Sequence, residues 1–302
     1  MQKNKIIIGS RGSKLALIYA EKVHRELKKH FNGELIIKKI ITSGDQNQKD
    51  RLANIGGKGL FSKKIEEELL DGNIDLAVHA LKDMPSEETE GLETNCFLKR
   101  NSPEEVFISK GIKFENLKSN SIVGTSSYRR EYQLKKKRSD LNYKLIRGNV
   151  DTRIKKLENG EYDGIILSKA GVEALGQQNK ITEEFSLDEL IPCAGQGIIA
   201  IQCRKEDNDL IELLEKINNS NARLSAKTER KVLKILEGDC HTAVGVYSKI
   251  EGENLNLTAE LFSIDGKKRY FIKSTRNLKL YDELADEMGQ KLKNDSKGSY
   301  KK

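Results

Sequence analysis

The chain has 302 residues, 36% apolar and 33% charged, with a formal net charge of +8. That describes a globular protein too long for one small core, so two or three domains are expected, and without a run of about 18 apolar residues a membrane-spanning helix is excluded. The positive balance asks for an anionic partner, which could be nucleic acid, phosphate or a polycarboxylate.

Met1 to Lys5 lead straight into Ile6-Ile7-Ile8 without the apolar core of an export signal, so a cytoplasmic protein is expected. Ile6 to Ile8 read as a short buried strand and Gly9-Ser10-Arg11-Gly12-Ser13 as a tight polar loop. Leu15, Ile18, Ala20 and Val23 then recur at helical spacing up to about Lys29. Backbone N–H groups at a helix start favour negative charge, and Arg11 and Ser13 add a guanidinium and a hydroxyl. An ordinary capped helix with a surface arginine would look the same.

Thr42 to Phe61 is polar and glycine-rich, too long for a plain connection, and reads as a lid or as disorder. Lys58, set among glycines just before an amphipathic helix from Leu60 to Leu70, favours the lid. A phosphate loop does not fit, because Gly59 follows Lys58 where Ser or Thr is needed.

Ile74 to Val78 read as the next buried strand, running into His79-Ala80-Leu81-Lys82-Asp83-Met84-Pro85. The strand thereby delivers an adjacent ammonium and carboxylate, Lys82 and Asp83, at its carboxyl end, where α/β sheets bind ligands. A surface ion pair is the competing reading of that dipeptide.

The strand, anion-type loop and helix arrangement returns at Ile122-Val123 with Gly124-Thr125-Ser126-Ser127-Tyr128-Arg129-Arg130. It returns again at Tyr143 to Ile146 with Arg147-Gly148-Asn149-Val150-Asp151-Thr152-Arg153. Opening at strand carboxyl ends, these loops would line one crevice with Arg11, Arg129, Arg130, Arg147 and Arg153, a place for carboxylates or phosphates. The run Lys135-Lys136-Lys137-Arg138 reads as the solvated end of a helix.

Pro103 and Pro192 bracket a segment with its own strand and helix pattern. The chain is expected to leave the first domain near residue 100 and return near 195, with the strand Ile198 to Cys203 rejoining the first sheet. This gives a discontinuous first domain (1–100 and 195–218), a second (101–194) and a third (219–302). The third contains a helix from Ala222 to Leu236, a loop from Glu237 to Gly245, alternating strands including Leu255 to Ser263 and Arg269 to Ser274, and a closing amphipathic helix marked by Tyr281, Leu284, Met288 and Leu292. The tail from Lys293 to Lys302 is expected to be solvated and disordered. Cys96, Cys193 and Cys203 read as small buried hydrophobes. Cys240, in Leu236-Glu237-Gly238-Asp239-Cys240-His241, is instead placed as an exposed nucleophile or covalent anchor.

Gly56-Gly57-Lys58-Gly59-Leu60-Phe61, His79 to Pro85, Val123 to Arg130, Arg147-Gly148-Asn149-Val150, Gly195-Gln196-Gly197 and Leu236 to Cys240 jointly resemble the porphobilinogen deaminase (hydroxymethylbilane synthase) family, in order from about Ile6 to Leu292. The resemblance implies an α/β fold of three domains. The first two are similar to type II periplasmic binding proteins, with doubly wound mixed sheets joined by two crossings, and the third is a small α+β domain with an antiparallel sheet. It implies a dipyrromethane cofactor in thioether linkage to Cys240 and the head-to-tail joining of four porphobilinogen molecules with loss of ammonia, in heme and porphyrin biosynthesis. Asp83 takes the catalytic role by resemblance. Lys82, Asp83, Thr125, Ser126, Ser127, Arg129, Arg130 and Gly171 match cofactor-holding positions, and Arg11, Ser13, Lys58, Phe61, Arg147 and Arg153 match substrate and lid positions.

The chain departs from the family pattern at Ala174 (arginine is common), Ala80 (serine), Asn54 (lysine) and Asp239 (glycine). The acetate and propionate of porphobilinogen suit a basic cleft better than nucleic acid does. A monomer without metal, nucleic-acid or membrane partner is expected. Two rivals are a non-enzymatic anion-binding protein, which leaves Cys240 without a use, and a nucleic-acid binder, for which no aromatic platform is visible.

Overall fold

Short apolar runs that end at glycine or polar turns build three sheets, each covered by amphipathic helices. The computed structural model describes residues 4–42, 59, 62–238 and 242–301. Asn54, Lys58, Phe61, Asp239 and Cys240 lie outside these residues, as does nearly all of the predicted lid.

The first sheet has the order β2-β1-β3-β10-β4, from β1 (Lys5–Arg11), β2 (Glu34–Ile40), β3 (Leu76–Ala80), β4 (Leu92–Phe97) and β10 (Ile199–Arg204). β1 runs parallel to β2 and β3, whereas β10 is antiparallel to β3 and β4. The second sheet repeats the plan as β7-β6-β8-β5-β9, from β5 (Glu105–Ser109), β6 (Ile122–Gly124), β7 (Asn142–Lys144), β8 (Gly164–Ser168) and β9 (Glu183–Phe185). Here β5 is the antiparallel insert. The chain leaves the first sheet after β4, enters the second through β5 and comes back after β9 as β10, so the two antiparallel strands are the two crossings. The predicted strand Ile198 to Cys203 is thus in place, shifted by one residue.

Helix α1 (Lys14–Lys28) buries Tyr19, Ala20, Val23 and Leu27 on one face of the first sheet, beside Leu210 and Leu214 of α6 (Asn208–Glu215). Helix α2 (Lys63–Leu70) covers the other face with Ile65 and Leu69. Each fully buried Ile or Leu of these layers is worth about 1.5–3 kcal/mol of transfer free energy. That second face also holds a buried polar chain. His79 Nε2 lies 3.1 Å from Gln202 Oε1, Gln202 Nε2 donates to Glu66 Oε1 at 3.1 Å, and Thr89 Oγ1 donates to Glu66 Oε2 at 3.0 Å. The second sheet is flanked by α3 (Tyr128–Lys137) on one face and by α4 (Val150–Glu158) and α5 (Lys169–Ala174) on the other.

The third sheet is an antiparallel meander of β11 (Val244–Glu251), β12 (Asn254–Phe262) and β13 (Arg269–Asn277), packed on α7 (Ser220–Ile235) and α8 (Tyr281–Ser296). Ala222 and Ala226 of α7 also pack on Leu81, Met84, Phe97, Ile198 and Ala200, which joins this domain to the first sheet. The terminal tail corrects the sequence reading. Helix α8 continues to Ser296, and Tyr300 is buried with its hydroxyl donating to Leu236 O at 3.0 Å. One aromatic anchor outweighs the polarity of its neighbours. No helix among the described residues is long and apolar enough to cross a membrane.

Candidate active site

The parallel strands of both large sheets end in the loops that carry the predicted site residues. β1 finishes at Arg11, and two residues later Ser13 caps α1, its Oγ accepting from Ala16 N at 3.3 Å. β3 passes into a single 3-10 turn, Leu81–Asp83, whose anchor Leu81 is buried while Lys82 and Asp83 keep partial access to solvent. The strand lies two residues later than predicted, which leaves the delivery of this pair intact. In the second domain β6 ends at Gly124, and Thr125 Oγ1 accepts from Ser127 N at 3.2 Å. Ser126 is half-buried beside them, and Ser127 caps α3 by accepting from Arg130 N at 3.4 Å. β7 leads through Arg147 and Gly148 into α4, which bears Arg153, and β8 leads into α5 with Gly171.

Electrostatics shows that these loops meet. Burial holds the Arg153 guanidinium down to about 10, the charges of Arg130 and Arg147 add to the depression, and Asp83 opposes it. Burial likewise lowers Arg147. The Tyr19 phenol on α1 is pushed up to about 12, first by burial and then by the Asp83 carboxylate. The charge of Asp83 is therefore felt both by Tyr19 in its own domain and by Arg153 in the opposite one. Arg153 anchors itself with Nε donating to Gly148 O at 2.8 Å, and among the described residues no carboxylate lies within ion-pairing distance of it. Gly171 marks where the two domains touch, since a Cβ there would sit 3.6 Å from Leu15 Cδ2 of α1. Ala174, at the end of the same helix, packs against the first domain's core.

Arg129 and Arg130 are largely committed within the protein. Arg129 Nη2 donates to Glu105 Oε1 at 2.5 Å and its Nη1 to Ile191 O at 2.8 Å, while Arg130 Nε and Nη2 reach Glu105 Oε1 and Oε2 at 2.9 and 2.7 Å. Burial alone would push Glu105 up, but Arg130 and Arg129 outweigh it and hold the carboxyl below its usual range. The sequence reading missed Glu105, which follows Glu104 with no periodic cue, and gave no role to Tyr19 or Gln196. Gln196 entered the sequence reading only as part of the Gly195-Gln196-Gly197 motif, although its place between two glycines marks a position where the backbone packs closely.

Domain three reaches the same region. Arg230 of α7 donates through Nη2 to Pro85 O at 2.6 Å, two residues past Asp83. Glu229, fully buried beside it, accepts from Arg100 Nη1 (2.6 Å), Gly195 N (2.7 Å), Ser248 N (2.8 Å) and Ser248 Oγ (2.8 Å), and so ties both crossings to β11. Of the cysteines, Cys96 and Cys203 are buried as expected, whereas Cys193 is half-exposed with Sγ 3.6 Å from Gln196 Oε1.

Comparison with known proteins identifies the family. A family profile described as "Porphobilinogen deaminase, dipyromethane cofactor binding domain" matches residues 6–212, and "Porphobilinogen deaminase, C-terminal domain" matches residues 223–297. A porphobilinogen deaminase of Exiguobacterium sp. is 42% identical over 289 residues, covering 94% of this chain and 95% of its own. One of Geobacillus sp. is 44% identical over 270 residues (88% and 87%), and a probable porphobilinogen deaminase of Nitrosopumilus maritimus is 40% identical over 291 residues (96% and 93%). Among solved structures, the Bordetella pertussis BvgS periplasmic VFT2 domain superposes with a TM-score of 0.44 at 12% identity, over 75% of this chain and 93% of that domain. With profiles and relatives spanning nearly its whole length, the chain belongs to the porphobilinogen deaminase family.

Proposed function

We propose that this chain joins four porphobilinogen molecules head to tail into hydroxymethylbilane with release of ammonia, primed by a dipyrromethane in thioether linkage to Cys240. The observation that carries the reading is one carboxylate, Asp83, whose charge reaches Arg153 on the opposite strand-end surface, where Arg130 and Arg147 add their own positive charges.

The cleft suits the cofactor. A dipyrromethane bears acetate and propionate groups, and Arg153, crowded by like charges with no carboxylate of the described chain against it, gains from an anionic ligand. Lys82, Thr125, Ser126, Ser127 and Arg130 would hold those carboxylates, with Arg129 acting mostly through Glu105 and Gly171 leaving room at the domain contact. When bound, the cofactor supplies the nucleophilic pyrrole carbon to which the first substrate is joined. Arg11, Ser13, Arg147 and Arg153 would bind the carboxylates of substrate and growing chain, with Lys58 and Phe61 covering them.

Asp83 then has two tasks. Its carboxylate accepts the pyrrole N–H and stabilises the positive charge that develops on the substrate ring as ammonia leaves, and it takes up the proton released once the new carbon–carbon bond forms. Its partial enclosure strengthens the first effect. A monomer is the proposed working unit. The thiols at Cys96, Cys193 and Cys203 fit a reducing, cytoplasmic setting. Nucleic acid is not needed to explain the basic run, because Lys135 pairs with Glu131 and Lys137 with Glu189.

Intact-mass measurement tests the covalent primer. The purified protein should be heavier than its sequence, the added mass should map to the peptide with Cys240, and Cys240→Ser should remove both mass and turnover because an alcohol is a far weaker nucleophile than a thiolate. Active protein with only its sequence mass would overturn the reading.

A further inference from the structure

The two crossings between the large domains touch at Gly195-Gln196-Gly197. Both glycines have positive φ (74° and 83°), and a Cβ would meet Leu81 Cγ at 2.7 Å from Gly195 and Asn101 O at 2.6 Å from Gly197. Gln196, held between them, has no solvent exposure. Its Nε2 donates to Pro103 O at 2.6 Å and faces Glu104 O at 3.4 Å, both on the other crossing, while its own carbonyl accepts from Arg100 Nε at 2.9 Å. Those two carbonyls can only accept, so the NH2 end of the amide must point to them. Oε1 is then left facing the Lys82 ammonium at 3.4 Å, with Cys193 Sγ at 3.6 Å.

We propose that Gln196 is a positioning residue for the cofactor site, its amide oriented by the crossing carbonyls so that Oε1 holds the Lys82 ammonium in place for ligand carboxylates. A lysine loses rotamer entropy when its head is fixed, and a preset acceptor removes part of that loss before the ligand arrives. The acceptor is neutral, and this matters. A carboxylate at the same point would orient the ammonium but cancel its charge, whereas an amide oxygen orients it and leaves the charge for the ligand. Glu105, close enough to feel Lys82 electrostatically, is already neutralised by Arg129 and Arg130.

The inference rests on Lys82 being a cofactor-holding group, and the test separates the two. Wild type, Lys82→Met, Gln196→Leu and the double variant are compared for the fraction of molecules carrying the covalent adduct by intact mass, for kcat/KM with porphobilinogen, and for thermal midpoint. Gln196→Leu should lower kcat/KM about tenfold and reduce loading, as expected for loss of one oriented hydrogen bond to a charged group. The double variant should lose no more than Lys82→Met alone, because the amide acts only through the lysine. Losses that multiply, or a drop that follows the thermal midpoint alone, would overturn the positioning role. Normal loading and turnover in Lys82→Met would instead refute the assignment of Lys82. If the leucine variant does not fold, Gln196→Met, which keeps the unbranched stem, takes its place in the cycle.

Discussion

Acidification should weaken the first domain through His79. Gln202 presents its NH2 end to Glu66 and its oxygen to the ring, which places a proton on Nε2. Burial pushes its pKa down to about 4 from the ordinary 6.5, the hydrogen bond to Gln202 partly restores it, and the charges of Arg11 and Arg230 lower it further. Unfolded chains bind a proton at His79 once the pH falls below about 6.5, while the folded protein resists until about 4. In that window the unfolded state holds the extra proton, so stability drops by about 1.4 kcal/mol per pH unit, roughly 3 kcal/mol in all. Below it the loss is complete. His79→Gln keeps a donor for Gln202 Oε1 but cannot titrate. Denaturant unfolding of both proteins over a pH series should therefore show the variant relatively more stable toward acid by that amount. Parallel curves would refute the argument, since other acid-labile groups are common to both.

The catalytic assignments give sharper readouts. Asp83→Asn should leave folding and adduct mass in place while reducing turnover by several orders of magnitude, because the amide keeps the size and loses the charge; near-normal kcat would discard the assignment. Arg147→Leu and Arg153→Leu should each trap partly elongated enzyme–substrate species or block elongation, visible by native gel or mass after a short pulse of porphobilinogen. An unchanged distribution would place those side chains outside the path of the chain. Replacing Arg153 removes a like-charge neighbour from Arg147 and Arg130, so its thermal midpoint should hardly fall.

Much of the fold was legible because local signals agreed with it. Ile6 to Ile8, the helix after Ser13 and the apolar run ending at Pro85 each carry their own boundaries, and two prolines bracketed the middle sheet. The loop-bearing arginines were legible for the same reason, since each follows a strand and opens a helix. What stayed hidden depends on distant partners. Arg100 and Glu229 are 129 positions apart, Gln133 and Glu260 are 127 apart, and no window of sequence contains either pair. Glu105 likewise became a central counter-ion only once α3 was laid across β5. In the tail, polar neighbours masked Tyr300, whose burial depends on Leu236 lying beneath it.

Glu229 sets a common frame of reference for the molecule. Its carboxylate grips Arg100 on one crossing and Gly195 on the other, and the helix that carries it ends at Ile235, five residues before Cys240 in sequence. Changing the angle between the two large domains at their crossings would disturb hydrogen bonds that converge on one fully buried carboxylate. The joint between the two large domains and the packing of the third domain thus share one buried carboxylate.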